Sequence, residues 1–247
     1  MANMERLDCV VVGAGKFIET ALDEVYHDKS SSMLIKLCAG WYGLGAAKQY
    51  HCTQPTRSLA ILEAEDSLGG TWSDHRLYPG LKSNNLLGTY EYPDFPMDTE
   101  TFGVKTDDHI PGPVINRYLK AYAARFGIAE LIRSQTKVLV AEHQEGPDHA
   151  DGGWVLTVST AGQQETKLYA RHLVLATGRT SDPFLPHFAG QETFGGKIFH
   201  GRDFARNSDT VKTAKAVTIF GASKSGWDAV YAYASAGVKV NWIIRRM

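Results

Sequence analysis

Two stretches of this 247-residue sequence space their glycines as a phosphate-binding turn requires. The first is interrupted. Gly13 and Gly15 close the apolar run Asp8 to Val12, and Trp41-Tyr42-Gly43 resumes only after residues 16–40. With that segment set aside the flanks read VVVGAG/WYGLGAA, a G-x-G-x-x-G turn made of Gly13, Gly15 and Gly43. The first glycine makes the tight turn, the second lets a pyrophosphate approach the backbone, and the third lets helix and strand pack closely. Free N–H groups and the positive dipole end of the following helix then face the phosphates. Glu63 ends the next apolar run, where a carboxylate binds ribose hydroxyls. The second stretch, VTIFGASKSGWDAV, repeats the spacing at Gly221, Ser223 and Gly226 with serine in the central place. The run after it ends in Arg245-Arg246 instead of an acid. A guanidinium there can grip a 2′-phosphate with two hydrogen bonds, favouring NADPH over NADH; the plainer alternative is a surface arginine pair beside a packing turn.

These residues need strands and helices to hold them. Asp8 to Val12 reads as a strand buried on both faces of a parallel sheet. A helix is expected over Trp41 to His51, and a strand over Ser58 to Glu65. Gly112 to Gly127 carries Val114, Ile115, Tyr118, Leu119, Tyr122 and Phe126 at helical spacing, closed by Gly127. TKVLVAEH, GWVLTVST and ETKLYARHLVLATG are β-like runs, the first two separated by a polar, glycine-bearing turn. AVTIFGAS enters the second turn as a buried strand, a helix runs on through Trp227 to Ala236, and VKVNWIIRR is a last strand. The strand–glycine turn–helix–strand unit thus occurs twice, which predicts an α/β chain.

The segment 16–40 admits two readings. Ile18, Leu22 and Val25 fall at helical spacing, as an inserted helix would have them. Alternatively, Gly15-Lys16 can be encoded by a splice-donor pattern and Cys38-Ala39-Gly40 by an acceptor, and removing the whole codons between leaves the frame intact. That reading, a retained intron, restores the contiguous turn that pyrophosphate binding needs.

Apolar residues make up 43% of the chain, charged residues 21%, and the net charge is −1, so nothing in the charge balance points to nucleic acid or an anionic membrane as partner. No apolar run approaches the roughly 20 residues of a membrane span, and MANMERLDCVVVG lacks the pattern of a cleavable leader. Cys9, Cys38 and Cys52 form no CxxC pair, which predicts neither a disulfide framework nor a zinc site and fits a reducing, cytoplasmic setting.

Two dinucleotide turns in one chain suit a flavin and a nicotinamide exchanging electrons. In four elements the sequence resembles the flavin-dependent monooxygenases, the class that includes flavin-containing (dimethylaniline-type) and Baeyer–Villiger monooxygenases. Those elements are the restored GAG/WYG turn, EAEDSLGGTW (Glu63 to Trp72), LVLATG (Leu173 to Gly178) and FGGKIFHGRDF. The last carries the family's FxGxxxHxxx-aromatic signature at Phe194, Gly196, His200 and Phe204, between the two turns. Flavin disulfide reductases share the layout but need a redox cysteine pair that is missing here.

The resemblance implies a two-dinucleotide-binding-domain flavoprotein fold, with a Rossmann-like FAD domain over residues 1–180 and the beginning of an NADPH domain over 181–247. It implies that Gly13, Gly15 and Gly43 hold the FAD pyrophosphate, Glu63 its ribose, and that Gly70, Thr71 and Trp72 pack along the flavin. Gly221, Ser223, Gly226 and Arg245 would hold NADPH. Asn84, in LKSNNLLGTYEYPDFPM with Ser83 beside it, matches the asparagine that contacts flavin and nicotinamide, a role suited to an uncharged donor and acceptor; turn formation is its plainer alternative. His200 is expected to be a structural linker and not a general base, and Trp154 and Tyr169 to be sheet packing. The implied reaction oxygenates a small organic molecule with molecular oxygen through a flavin C4a-hydroperoxide. Phe204, where the Baeyer–Villiger form usually has tryptophan, leans toward N- or S-oxygenation. The resemblance reaches only the family's N-terminal half, so the competing expectation is a truncated, catalytically silent remnant or FAD-binding module.

Overall fold

The computed structural model describes residues 4–12, 40–146, 152–161, 163–178 and 183–245. In chain order the elements are β1 (Glu5–Val12), α1 (Trp41–Thr53), β2 (Leu59–Leu62), β3 (Lys82–Leu86), α2 (Thr99–Phe102), β4 (His109–Pro111), α3 (Gly112–Arg125) and β5 (Ile132–Arg133), followed by β6 (Thr136–Gln144), β7 (Gly153–Thr160), β8 (Thr166–Leu175), α4 (Thr210–Thr213), β9 (Ala216–Phe220), α5 (Lys224–Ser235) and β10 (Lys239–Ile243). They divide between two compact units. One comprises Met1–Ser73, Tyr92–Pro96 and Asn116–Asp182, the other Asp74–Glu91, Met97–Ile115 and Pro183–Met247.

The first unit is built on a six-stranded sheet of order β5-β2-β1-β8-β7-β6. β1 lies between β2 and β8 and is parallel to both. Cys9, Val10 and Val11 are fully buried, as a continuous apolar run flanked on both edges requires. Val12 is in register with Leu62 of β2 and Leu175 of β8, so three strands end level. In an open parallel sheet ligands bind beyond such carboxyl ends. β6, β7 and β8 form an antiparallel meander, the three β-like runs of the sequence. Trp154 packs against the core and edge-on to His143 at 5.1 Å, and Tyr169 lies under the Arg6 guanidinium at 4.2 Å; both are sheet packing, as expected.

Segment 92–96 enters this unit through aromatic side chains. Trp41 stacks on Tyr92 (4.8 Å) and Tyr118 (5.6 Å), and Tyr92 stacks on Tyr122 (3.9 Å). The buried Tyr118 hydroxyl accepts the Tyr92 N–H at 2.7 Å and donates to the Phe95 carbonyl at 2.5 Å. α3 ends as its sequence predicts, with Gly127 at φ +67 and the Ile128 N–H returning to the Ala123 carbonyl at 3.0 Å, closing the last turn.

The second unit holds the antiparallel pair β3–β4 and the parallel pair β9–β10 with α5 between them in sequence. Exposed and half-buried residues alternate along both β9 and β10. Trp242 of β10 meets Trp227 of α5 edge-on at 4.5 Å, and its indole N–H donates to the Gly221 carbonyl at 2.7 Å.

Candidate functional site

Gly13 and Gly15 lie outside the described residues, as do residues 16–39 of the intervening segment. The described part of the first turn is its helical half. α1 starts at Trp41 with Gly40 as N-cap; no side chain caps it and its first turn has no acid. A helix start without an acid turns its positive dipole end toward an anion. Gly43 is buried in that first turn, in the place of the third glycine.

Glu63 directly follows β2, level with the strand ends, and is 1% exposed. Its backbone is clamped from both sides: the N–H donates to the Arg133 carbonyl at 3.0 Å, and the carbonyl accepts the Thr136 N–H at 2.8 Å. Its Oε1 accepts the Glu65 N–H at 3.0 Å. The acid is therefore fixed in place at the carboxyl edge of the sheet. Arg133 is itself held by Glu5 through two hydrogen bonds of 2.8 and 2.6 Å. The Arg133 hydrogen bonds, outweighing partial burial, lower the Glu5 pKa. The sequence puts Glu63 forward but gives no sign of its clamp, because β5 is two residues long and shows no periodicity.

Gly70, Thr71 and Trp72 form a short 3-10 turn. Gly69 before it sits at φ +124, and a side chain there would meet the Ser73 nitrogen at 2.9 Å, so only glycine fits. The Ser73 hydroxyl donates to the Gly70 carbonyl at 2.8 Å, and Asn116 Nδ2 donates to the Trp72 carbonyl at 2.8 Å. The turn is braced, with Thr71 exposed and Trp72 half-buried.

Within the second unit, Ser83 and Asn84 alternate on β3. Ser83 is buried; its hydroxyl donates to the Asn85 carbonyl and accepts the Ile110 N–H at 3.1 Å, so its bonds pin β3 to β4. Asn84 is exposed, on the opposite side of the strand. The second glycine turn follows β9. Gly221 sits at φ +109, and a Cβ on Gly226 would lie 2.6 Å from the Gly221 carbonyl oxygen, so glycine spacing here is close helix-on-turn packing. Ser223 is the N-cap of α5, with no side-chain cap bond and no acid in the first turn. Arg245 is exposed just past β10, and Arg246 lies outside the described residues.

In the signature segment His200 caps the turn at Gly201–Asp203, its Nδ1 accepting the Arg202 N–H at 3.1 Å, which is a structural role. Phe204 is buried against Tyr78 (5.1 Å) and Tyr233 (5.7 Å). Among the described residues no three His, Cys, Asp or Glu side chains could share a metal ion, and no helix is long and apolar enough to cross a membrane.

Comparison with known proteins places this geometry. A sequence model described as flavin-binding monooxygenase-like matches residues 37–244. An FAD-dependent monooxygenase of Pyrenophora dematioidea is 39% identical over 86% of this chain and 39% of its own length. Flavin-containing monooxygenase 1 of Sus scrofa is 30% identical over 85% of this chain and 40% of its own. The chain therefore spans well under half the length of these relatives. Among solved structures, a closed form of cyclohexanone monooxygenase superposes with a TM-score of 0.69 at 21% identity, over 98% of this chain and 39% of that one. The S-allyl-L-cysteine S-oxygenase of Allium sativum does so with 0.66 at 17%, over 97% and 51%. At those identities the structures establish a shared fold.

Proposed function

This chain belongs to the flavin-binding monooxygenase-like family, and on that premise we propose that it derives from an FAD- and NADPH-dependent monooxygenase acting on a small organic molecule with molecular oxygen. The observation that supports this most is the pair of helix starts, α1 and α5: among the described residues neither has a side-chain cap bond and neither carries an acid in its first turn. The residues present fit the cofactors: Gly226 lets α5 pack directly on the turn at Gly221, so that the helix start faces the turn, and Glu63 is a fixed acid beside the strand ends.

Bound flavin, reduced by the nicotinamide, supplies the electron transfer and oxygen activation. The chain's own residues bind and orient. Gly13, Gly15 and Gly43 with the α1 N-terminus would hold the FAD pyrophosphate, Glu63 the ribose, and Gly70, Thr71 and Trp72 the flavin edge. Gly221, Ser223 and Gly226 would hold NADPH and Arg245 its 2′-phosphate. Asn84 is the group we assign to the flavin and nicotinamide, since its exposed amide donates and accepts without charge. The hydroxyl of Ser83 beside it serves by holding β3. Phenylalanine at 204, in place of the tryptophan usual in the Baeyer–Villiger form, is what favours N- or S-oxygenation over Baeyer–Villiger oxidation. A cytoplasmic location belongs to the same reading and rests on the sequence, in which Cys9, Cys38 and Cys52 form no CxxC pair.

The test is FAD titration followed by flavin fluorescence, on this chain and on a variant lacking residues 16–40. We expect the shortened variant to bind at least about tenfold more tightly, the value of one or two charge-assisted hydrogen bonds. Equal binding by both would make the segment a tolerated insertion and leave the flavin site standing. Binding by neither would sink the reading.

A further inference from the structure

Asp228, one turn into α5, gathers two donors on one oxygen. Its Oδ2 accepts the Tyr78 hydroxyl at 2.5 Å and forms a close ion pair with Nζ of Lys224, the first residue of the helix. Tyr78 arrives from the other end of the sequence of this unit, just ahead of β3. Its ring lies on Phe204, the last residue of the signature, and Phe204 lies on Tyr233 near the far end of α5. The Thr210 and Tyr233 hydroxyls share a further hydrogen bond of 2.5 Å. Burial first, then the bond to Asp228, raises the Tyr78 phenol well above its ordinary pKa, so the hydroxyl stays a donor.

From Tyr78 to Asn84 the backbone has no slack. The Leu81 N–H donates to the Tyr78 carbonyl at 3.1 Å, the Leu81 carbonyl accepts the Gly112 N–H at 2.8 Å, and Ser83 ties β3 to Ile110. Gly112 packs so closely on Leu81 that a Cβ would come within 3.0 Å of its side chain. One hydroxyl therefore joins a pinned strand bearing Asn84 to the helix behind the second glycine turn.

We propose that Tyr78 is a positioning residue that sets the spacing between the dinucleotide turn at Gly221–Gly226 and Asn84. This rests on the reading above, in which the turn takes the adenosine end of NADPH and Asn84 its nicotinamide. A ligand that spans both points benefits from their being preset, because its second contact forms at high effective concentration. A ligand that occupies the turn alone gains nothing from the spacing.

The experiment titrates the chain and its Tyr78→Phe variant with NADP⁺ and with adenosine 2′,5′-bisphosphate, following emission of Trp227 and Trp242. Phenylalanine keeps the ring on Phe204 and removes only the hydroxyl. We expect NADP⁺ affinity to fall about five- to tenfold, the net worth of one hydrogen bond, while bisphosphate affinity stays within about twofold. Asp228→Asn, which keeps an acceptor but weakens the bond, should show the same split to a smaller degree. Equal losses for both ligands would reduce Tyr78 to a stabilising contact and overturn the inference, as would no change for either. If the unaltered chain binds neither ligand, the NADPH reading itself fails and the inference falls with it.

Discussion

At the scale of single residues, the second glycine turn shows what spacing alone can reveal. Gly221 and Gly226 were identifiable because their requirement is local: one needs φ +109 and the other cannot carry a Cβ within 2.6 Å of a carbonyl oxygen. Gly226→Ala must push α5 off the turn. Its expected cost is about 1–3 kcal/mol of stability, the usual penalty for overpacking, with NADP⁺ binding lost; chemical denaturation and the titration above would check both. Unchanged binding would mean that the turn does not seat the dinucleotide. The motif was enough to put Asn84 forward, whereas nothing in the sequence pointed to Tyr78 and Asp228. They are 150 positions apart in sequence, and no periodicity or composition links a tyrosine before one strand to an aspartate inside a distant helix.

At the scale of elements, the strongly patterned pieces were legible and the sheet edge was not. β1, the β6–β8 meander, α3 with its closing glycine, and the β9–α5–β10 unit all follow from apolar spacing and turn residues. The two-residue β5 gave no signal, yet it clamps Glu63 and carries Arg133, which reaches past β2 to Glu5 on β1. That ion pair has a definite pH signature. Hydrogen bonding from Arg133 lowers the folded-state pKa of Glu5, so its stabilisation is complete above the unfolded value and disappears as pH falls through the folded one. Glu5→Gln should therefore lower stability at pH 7 by up to about 1 kcal/mol, a half-exposed pair being screened by solvent. The difference should close below about pH 4. Urea unfolding at both pH values measures it, and a deficit that persists in acid would mean the loss is one of packing.

At the scale of the whole molecule, a linear sequence obscures how the units are assembled. Residues 74–91 and 97–115 belong to the same compact unit as 183–247, while 92–96 between them joins the other. The chain passes repeatedly between units, so a division by position in the sequence does not separate their contacts. What holds 92–96 is side-chain chemistry: tyrosine and tryptophan faces in near-parallel planes and one buried hydroxyl with two partners. Aromatic content could be counted in advance, but not that Trp41, Tyr92, Tyr118 and Tyr122 would stack, because they come from three separate parts of the sequence.

That stack has an optical consequence. Four aromatic π-systems with interplanar angles of 13° to 21° and centroids 3.9–6.0 Å apart have coupled electronic transitions. The native chain should show an intense, structured circular-dichroism band between the tyrosine and tryptophan absorptions, and Trp41→Phe should weaken it to the contribution of the tyrosine pairs while leaving the peptide-region spectrum intact. An unchanged band in that variant would mean that Trp41 takes no part in the coupling. Because Trp41 opens the helix behind the first glycine turn, the same band would serve as an internal chromophore, reporting when the 92–96 strap has docked beside the start of that helix.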